Sequence, residues 1–215
     1  MSLKIEVYSD IVCPWCFLGK KRLEAALKSL NITDAKVHYL PYELNPGTPV
    51  EGVDRKAYMK AKFGEGKSLD AAHERLTNLG KEVGINYHFD DISKIPNTFD
   101  AHRLLWLAEK EEVQPKVKEA LMKAYFTDGR DLSDKKILAE VVVEAGLDAS
   151  KVKKLLENNE GERGVREAEE RAYNLGVLGV PFFIFNGKTA ISGVQPLEVF
   201  VSAISDQMAK PITKN

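Results

Sequence analysis

"YSDIVCPWCFLGKKRLEAAL", residues 8–27, holds both cysteines of a 215-residue chain, three positions apart, where a strand pattern gives way to a helix pattern. Upstream, Leu3, Ile5 and Val7 alternate with Lys4, Glu6 and Tyr8, the two-residue period of a strand. The chain then turns through Asp10 to Val12. From Pro14, the residues Cys16, Gly19, Leu23, Ala26/Leu27 and Leu30 recur at three- and four-residue spacing, which predicts a helix stopped by "NITD". Lys36 to Tyr42 predicts a second strand, closed by "ELNPGTP". Strand, helix and strand make a βαβ unit, whose strands run parallel with a right-handed crossover.

A thiol attacks at neutral pH only when its thiolate is stabilised, because a free cysteine has a pKa of about 8.5. Helix starts stabilise anions through unpaired N–H groups and the macrodipole. Cys13 falls there, just before Pro14, whose missing N–H costs nothing at a first helical position. Cys16 lies one turn on and points into the apolar stripe. An exposed Cys13 would attack and a sheltered Cys16 would resolve the resulting mixed disulfide. Two other readings stand beside this one. The pair could be half of a zinc site, but zinc wants four ligands, there is no second cysteine pair, and His38, His73, His88 and His102 are scattered. It could also be two small buried hydrophobes.

Further along, residues 49–176 read as helices. Leu69, Ala72, Leu76, Leu79 and Val83 form one stripe, started by Ser68 and stopped by Gly84. Thr98 caps a second helix with Phe99, Leu105 and Trp106. Val117, Ala120, Leu121, Ala124 and Tyr125 mark a third, and "KSLDAAHERL" and "KEALMKA" read as solvated faces. Ser133 caps a stripe from Ile137 to Ala145, stopped by Gly146. Val152 to Leu156 and Val165 to Leu175 follow, stopped by Gly176. Strands return in "PFFIFNGKTAIS" around Asn186-Gly187, a two-residue hairpin signal. A last helix from about Pro196 carries Leu197, Phe200/Val201, Ile204 and Met208 on one face. The expected organisation is an α/β fold of thioredoxin-like order, βαβ then ββα, with a large all-helical insertion. The first part spans residues 1–48, the insertion 49–176 and the second part 177–215.

Composition narrows the function classes. The apolar fraction of 44% supports a substantial core, and a formal charge of −1 without a basic run gives no footprint for nucleic acid or anionic membrane. No apolar run approaches the ~18 residues of a bilayer span. "MSLKIEVYSD" lacks a secretory h-region, so a cytoplasmic location is expected. In that compartment thiols are kept reduced, which favours a reactive pair over a structural staple. The distal Gly179-Val180-Pro181 adds to this. Proline opens strands or sits on edges, and a cis Val180–Pro181 bond would turn the preceding backbone outward; the alternative is an ordinary trans proline.

Across "YSDIVCPWCFLGKKRLEAAL", "YLPYELNPG", "NTFDAHRLLWLA" and "GVLGVPFFIFNGKTAISGVQP", the chain resembles the DsbA-like thioredoxin superfamily, specifically FrnE-type cytosolic disulfide oxidoreductases. The resemblance implies catalysis by Cys13 as nucleophile and Cys16 as resolving thiol. It also implies that Pro181 is a cis-proline facing the pair, and that Val180 offers backbone hydrogen bonds to an extended substrate. Pro14 and Trp15 complete the implied substrate surface, with Trp15 as an apolar platform. No metal or bound cofactor is implied beyond the redox-active cysteine pair. The implied partners are protein or peptide thiols and disulfides, recycled by glutathione or a thioredoxin-type protein, on a monomer or homodimer.

Two departures stand out. An acid lies six residues before the first cysteine in many thioredoxin-fold enzymes, whereas here that position is Val7, with Glu6 and Asp10 only nearby. Trp15 stands where strongly oxidising relatives place a histidine. The glutathione-dependent sister groups, 2-hydroxychromene-2-carboxylate isomerases and kappa-class glutathione transferases, typically carry serine at the Cys13 position and an Asp-Arg pair in the "GVQP" region. Cys13 and Gln195 point away from them. Glutathione-dependent isomerase or transferase activity is the enzymatic alternative, and a non-catalytic peptide-binding chaperone is the alternative of another class. Asn97, His102 and Gln195 are the remaining candidates for the cleft, although His102 also fits a hydrogen-bonded core histidine and Asn97 a helix cap.

Overall fold

The computed structural model describes residues 2–64 and 67–208, without the side chains of Lys67 and Ser68. Strand β1 (Lys4–Ser9) is central, running parallel to β2 (Lys36–Pro41) and antiparallel to β5 (Phe182–Phe185), which pairs antiparallel with β6 (Thr189–Ser192). Val7 sits opposite Tyr39 on one side and Phe183 on the other. Helix α1 (Pro14–Ser29) joins β1 to β2, and the last helix, Leu197–Met208, packs beside it. Val7, Leu23, Ala26, Phe183, Phe200 and Ile204 fill the core between sheet and helices. Fully burying each large apolar side chain contributes roughly 1.5–3 kcal/mol. Leu197 and Met208, placed by periodicity on that face, are instead exposed, because the core is closed by Phe200 and Ile204.

β1 is covered on both sides. Glu6 and Tyr8, which alternate away from the first core, are also buried. Arg171 pairs with Glu6 at 2.9 Å, and Tyr8 packs with Ala172 and Val177.

Between β2 and β5 the chain forms β3 (Val53–Asp54), α2 (Arg55–Phe63), α3 (Lys67–Glu82), a 3-10 turn (Phe89–Asp91), β4 (Lys94–Ile95), α4 (Phe99–Lys110), α5 (Gln114–Phe126), α6 (Lys135–Glu144), α7 (Ala149–Glu157) and α8 (Glu162–Asn174). α9 is the helix Leu197–Met208. The small antiparallel β3–β4 pair and α2 were not legible as elements. A two-residue strand has no period, and α2 buries no side chain, so it shows no apolar stripe.

The caps also shift. Asn97 Oδ1, not Thr98, accepts the Phe99 N–H at 3.0 Å. Asp134, not Ser133, caps α6 by accepting the Lys136 N–H at 2.7 Å, while Ser133 donates to Asp131. α3 begins at Lys67, and the Ser68 side chain lies outside those described. Strand β2 ends at Pro41, one residue short of Tyr42. The β5–β6 hairpin uses positive φ at Asn186 and Gly187, as the turn chemistry requires, but Lys188 adds a third loop residue before Thr189 pairs with Phe185.

β2 is a sheet edge, and Gln114 covers it. The Gln114 amide accepts from the Tyr39 N–H at 2.8 Å and donates to the Tyr39 carbonyl at 2.9 Å, as a neighbouring strand would. A second core of Leu104, Val117, Leu121, Met122, Val142 and Leu155 fills the helical block. The first turn of α1 inserts Cys13, Cys16 and Phe17 into this second core, while its later turns belong to the sheet core. The cysteine pair therefore sits at the seam between the two.

Candidate active site

Cys13 is the N-cap of α1, with extended backbone and Pro14 at the first helical position. Its Sγ accepts the Cys16 N–H at 3.3 Å, and its carbonyl accepts from Cys16 and Phe17 at 3.0 and 3.3 Å. No acid occupies the first turn to oppose the dipole. Both cysteines are free thiols. Cys13 is not exposed as the sequence suggested: it is 4% accessible, against 2% for Cys16. The Val180 carbonyl lies 3.7 Å from the Cys13 sulfur and accepts from its thiol. The Tyr87 hydroxyl, bonded to the Pro14 carbonyl at 2.7 Å, fixes the helix start from the other side. What separates the two sulfurs is where they face. Cys13 borders an open cleft, whereas Cys16 is enclosed. Burial, reinforced by the neighbouring Cys13 sulfur, pushes the Cys16 thiol well above its usual range.

The Val180–Pro181 peptide is cis. Val180, Pro14 and Trp15 border the cleft, but Pro181 lies behind it, buried against α1. Gly19 makes this approach possible, since a Cβ there would lie 3.0 Å from Phe183 Cζ and 3.1 Å from Pro181 Cγ. Gly19→Ala is expected to cost about 1–3 kcal/mol through overpacking, read as a lower urea midpoint at unchanged m-value. An unchanged midpoint would show that the Pro181 wall yields freely.

The cleft encloses about 540 Å³. Trp15, Phe63, Leu69 and Leu76 give it apolar walls, and Arg55 and Lys62 bring cations to it. The Arg75 guanidinium sits 5.8 Å from the Trp15 ring. The stripe on α3 is thus shared between cleft and core: Leu69 is half-buried and Ala72 exposed at the cleft, while Leu76 is buried in the helical core and Val83 packs against it. Asn97, His102 and Gln195 do not border this cleft. Asn97 donates to the Thr48 carbonyl at 2.7 Å and caps α4. Gln195 donates to the Ser192 carbonyl at 3.0 Å, while its own carbonyl accepts from Arg22. His102 is buried, with Nε2 3.4 Å from Asp10 Oδ1.

Beneath the pair lies a buried polar group that sequence reasoning largely missed. Asp10 is fully buried, its Oδ2 accepting the Leu44 N–H at 2.8 Å. Burial opposes its ionisation, but His102, the Leu44 N–H and Lys118 outweigh burial and hold its pKa below the usual value. The Asp10 backbone N–H also stabilises the Cys16 sulfur as thiolate. Glu6, the other nearby acid, is turned away to Arg171. Lys118, taken as solvated within "KEALMKA", is 1% exposed. The signal was present: Gln114, Val117, Lys118, Leu121, Met122 and Tyr125 follow the three/four spacing of one helix face, and all are buried. Among the described residues, no group of three or more His, Cys, Asp or Glu side chains could hold a metal ion.

The profile of the DSBA-like thioredoxin domain matches residues 4–205. The chain belongs to that family. It is 31% identical over 211 residues to YwbO of Bacillus subtilis (strain 168), covering 98% of this chain and all of YwbO. The crystal structure of the probable DsbA oxidoreductase SCO1869 from Streptomyces coelicolor superposes with a TM-score of 0.90 at 32% identity, covering 99% of this chain and 94% of that one. The cytosolic disulfide reductase DsbM from Pseudomonas aeruginosa, solved with GSH, shares the fold at a TM-score of 0.67 and 16% identity, covering 95% of this chain and 98% of DsbM. The DsbA-like family is one of thiol–disulfide oxidoreductases, and its βαβ and ββα halves are those that hold Cys13 and Pro181 here. No helix among the described residues is long and apolar enough to cross a membrane.

Proposed function

We propose that this DsbA-like chain is a FrnE-type cytoplasmic disulfide oxidoreductase that exchanges disulfides with protein or peptide substrates, with Cys13 as nucleophile and Cys16 as resolving thiol. One observation carries the reading: a helix-capping sulfur, held by the Cys16 N–H and facing the Val180 carbonyl, borders a large apolar cleft. The Cys13 thiolate attacks one sulfur of a substrate disulfide. The substrate S–S bond breaks, and the other sulfur leaves with the electron pair and takes up a proton. Cys16, as thiolate, then attacks the Cys13 sulfur, releasing the second substrate thiol and leaving a Cys13–Cys16 disulfide. Run backwards, the same steps oxidise a dithiol, and a pause at the mixed disulfide permits isomerisation.

The cleft suits an extended segment with apolar side chains. Trp15 and Phe63 would flank it, and the Val180 backbone would pair with it by strand addition. Glutathione is the proposed recycling thiol, in keeping with the GSH found on DsbM. The direct test is adduct trapping. Cys16→Ser, mixed with an oxidised peptide, should accumulate a peptide disulfide on Cys13, seen by mass spectrometry of tryptic fragments. Absence of that adduct, with Cys13 alkylatable and the protein folded, would refute the reading.

A further inference from the structure

Lys118 is a buried cation that the exchange steps leave unused, and unlike the buried Lys20 and Arg103 it is not held by hydrogen bonds. Its side chain is 1% exposed, and Nζ has no hydrogen-bond partner. An ammonium in such a place is costly unless nearby negative charge compensates it. The groups that attract it are Cys16, Asp10 and Cys13, in that order. Asp10 is ionised but does not hold Lys118 directly, since Asp10 Oδ1 also lacks a hydrogen bond and Oδ2 is taken by Leu44. The other titratable groups around this pocket are committed elsewhere. Lys20 bonds Glu24 and Glu119, and Tyr87 donates to Pro14, while His102 faces Asp10 Oδ1 at 3.4 Å with its Nε2 otherwise unpartnered.

Cys16 has the complementary need. Its thiolate forms in a closed, desolvated site beside another sulfur, and the Asp10 N–H stabilises it only in part. Lys118 lies on α5 and Cys16 on α1; the two helices touch, and Val117, Leu121 and Met122, on the same α5 face as Lys118, share one core with Cys16.

We propose that Lys118 is a positioning residue for the resolving step, its ammonium serving as counter-charge to the thiolate that Cys16 becomes. The proposal rests on the redox reading above. In this step a Cys16–Cys13 bond forms and the Cys13–substrate bond breaks. The electron pair of the broken bond leaves on the substrate sulfur, which ends protonated with the proton that Cys16 gave up. Lys118 is unchanged at the end.

A pH signature follows. Burial draws the Lys118 pKa down to about 8 against the pull of Cys16 and Asp10. Below that, the population with ammonium and thiolate together grows about tenfold per pH unit, and near pH 8 it levels off because the same single proton is then lost by either group. The decay of a preformed Cys13–peptide mixed disulfide, followed by stopped flow, should rise and then flatten in this way. Lys118→Met keeps the volume and removes the charge. It should slow the decay about tenfold at neutral pH and abolish the plateau, and it should slow Cys16 resolution more than Cys13 alkylation. If Lys118→Met is folded and its decay profile superposes on wild type, the proposal is overturned while the redox reading stands. If wild type forms no Cys13-linked adduct at all, the redox reading itself has failed. Should the variant not fold, lysine-selective NMR of the wild type decides. The Lys118 titration midpoint should be higher in the dithiol than in the disulfide form, and equal midpoints would overturn the counter-charge role.

Discussion

Cys13→Ser is expected to reduce insulin-disulfide reduction by about 10³-fold or more, the scale of losing a covalent nucleophile, and to leave no mixed disulfide. The serine hydroxyl can still cap α1 and accept the Cys16 N–H, so the fold should survive and the loss should be chemical. Cys16→Ser should behave differently: it should keep the attack step but stall at the adduct, so the first turnover occurs and the second does not. The asymmetry follows from where the sulfurs face. Cys13 borders the cleft, and the enclosed Cys16 can reach nothing but Cys13. If the two variants lost activity alike and neither formed an adduct, the assignment of roles would be wrong. If Cys13→Ser kept full turnover, the exchange mechanism would be wrong.

The fold was legible where local signals agreed with one another. The alternation of Leu3 to Val7, the stripe from Cys16 to Leu30 and the Asn186-Gly187 turn place three of the four strands of the main sheet and its first helix. The N-terminal position of Cys13 followed from the Pro14 that opens the helix. The missed features are those that depend on tertiary neighbours. Nothing local says that Cys13 will be covered by Val180, which is 167 residues away. Asp10 reads as a turn residue until Leu44, His102 and Lys118 surround it. Lys118 was misread because charge was weighed before spacing, although its position among Val117, Leu121 and Met122 on α5 already places it inside. α3 was read for its apolar stripe, but part of that stripe faces a cleft rather than a sealed core: Leu76 is buried, whereas Leu69 is half-buried and Ala72 exposed. A cleft wall and a core face have the same period, and only the third dimension separates them.

The largest effect on stability is expected at Arg103, next to His102 on α4, which joins the helical block to the segment entering α8. Its guanidinium is 5% exposed and fully engaged. Nε donates to the Glu160 carbonyl at 2.9 Å, Nη2 to the carbonyls of Leu155 at 2.7 Å and Asn158, and Nη1 to Asp100 at 2.7 Å. Those carbonyls belong to the end of α7 and the turn that follows, where helix termini leave acceptors unpaired. One turn along α4, Trp106 packs so tightly on the same segment that a Cβ at Gly161 would lie 2.9 Å from its ring, and Gly161 also needs its φ of +83°. Arg103 and Trp106 therefore clamp one junction. Arg103→Met removes the donors while keeping an apolar stem, so the Glu160 and Asn158 carbonyls lose their guanidinium partner, the Leu155 carbonyl keeps only the Asn158 N–H, and the Asp100 carboxylate keeps only Lys135 at 3.3 Å. The expected loss is about 3–5 kcal/mol, measured by urea unfolding. Arg103→Lys should recover little of it, because a single ammonium does not reproduce a planar fork serving three carbonyls and a carboxylate. A loss below about 1 kcal/mol for Arg103→Met would mean that the turn finds other donors. In that case Trp106, rather than Arg103, would hold α8 where Arg171 reaches Glu6 on the strand leading to Cys13.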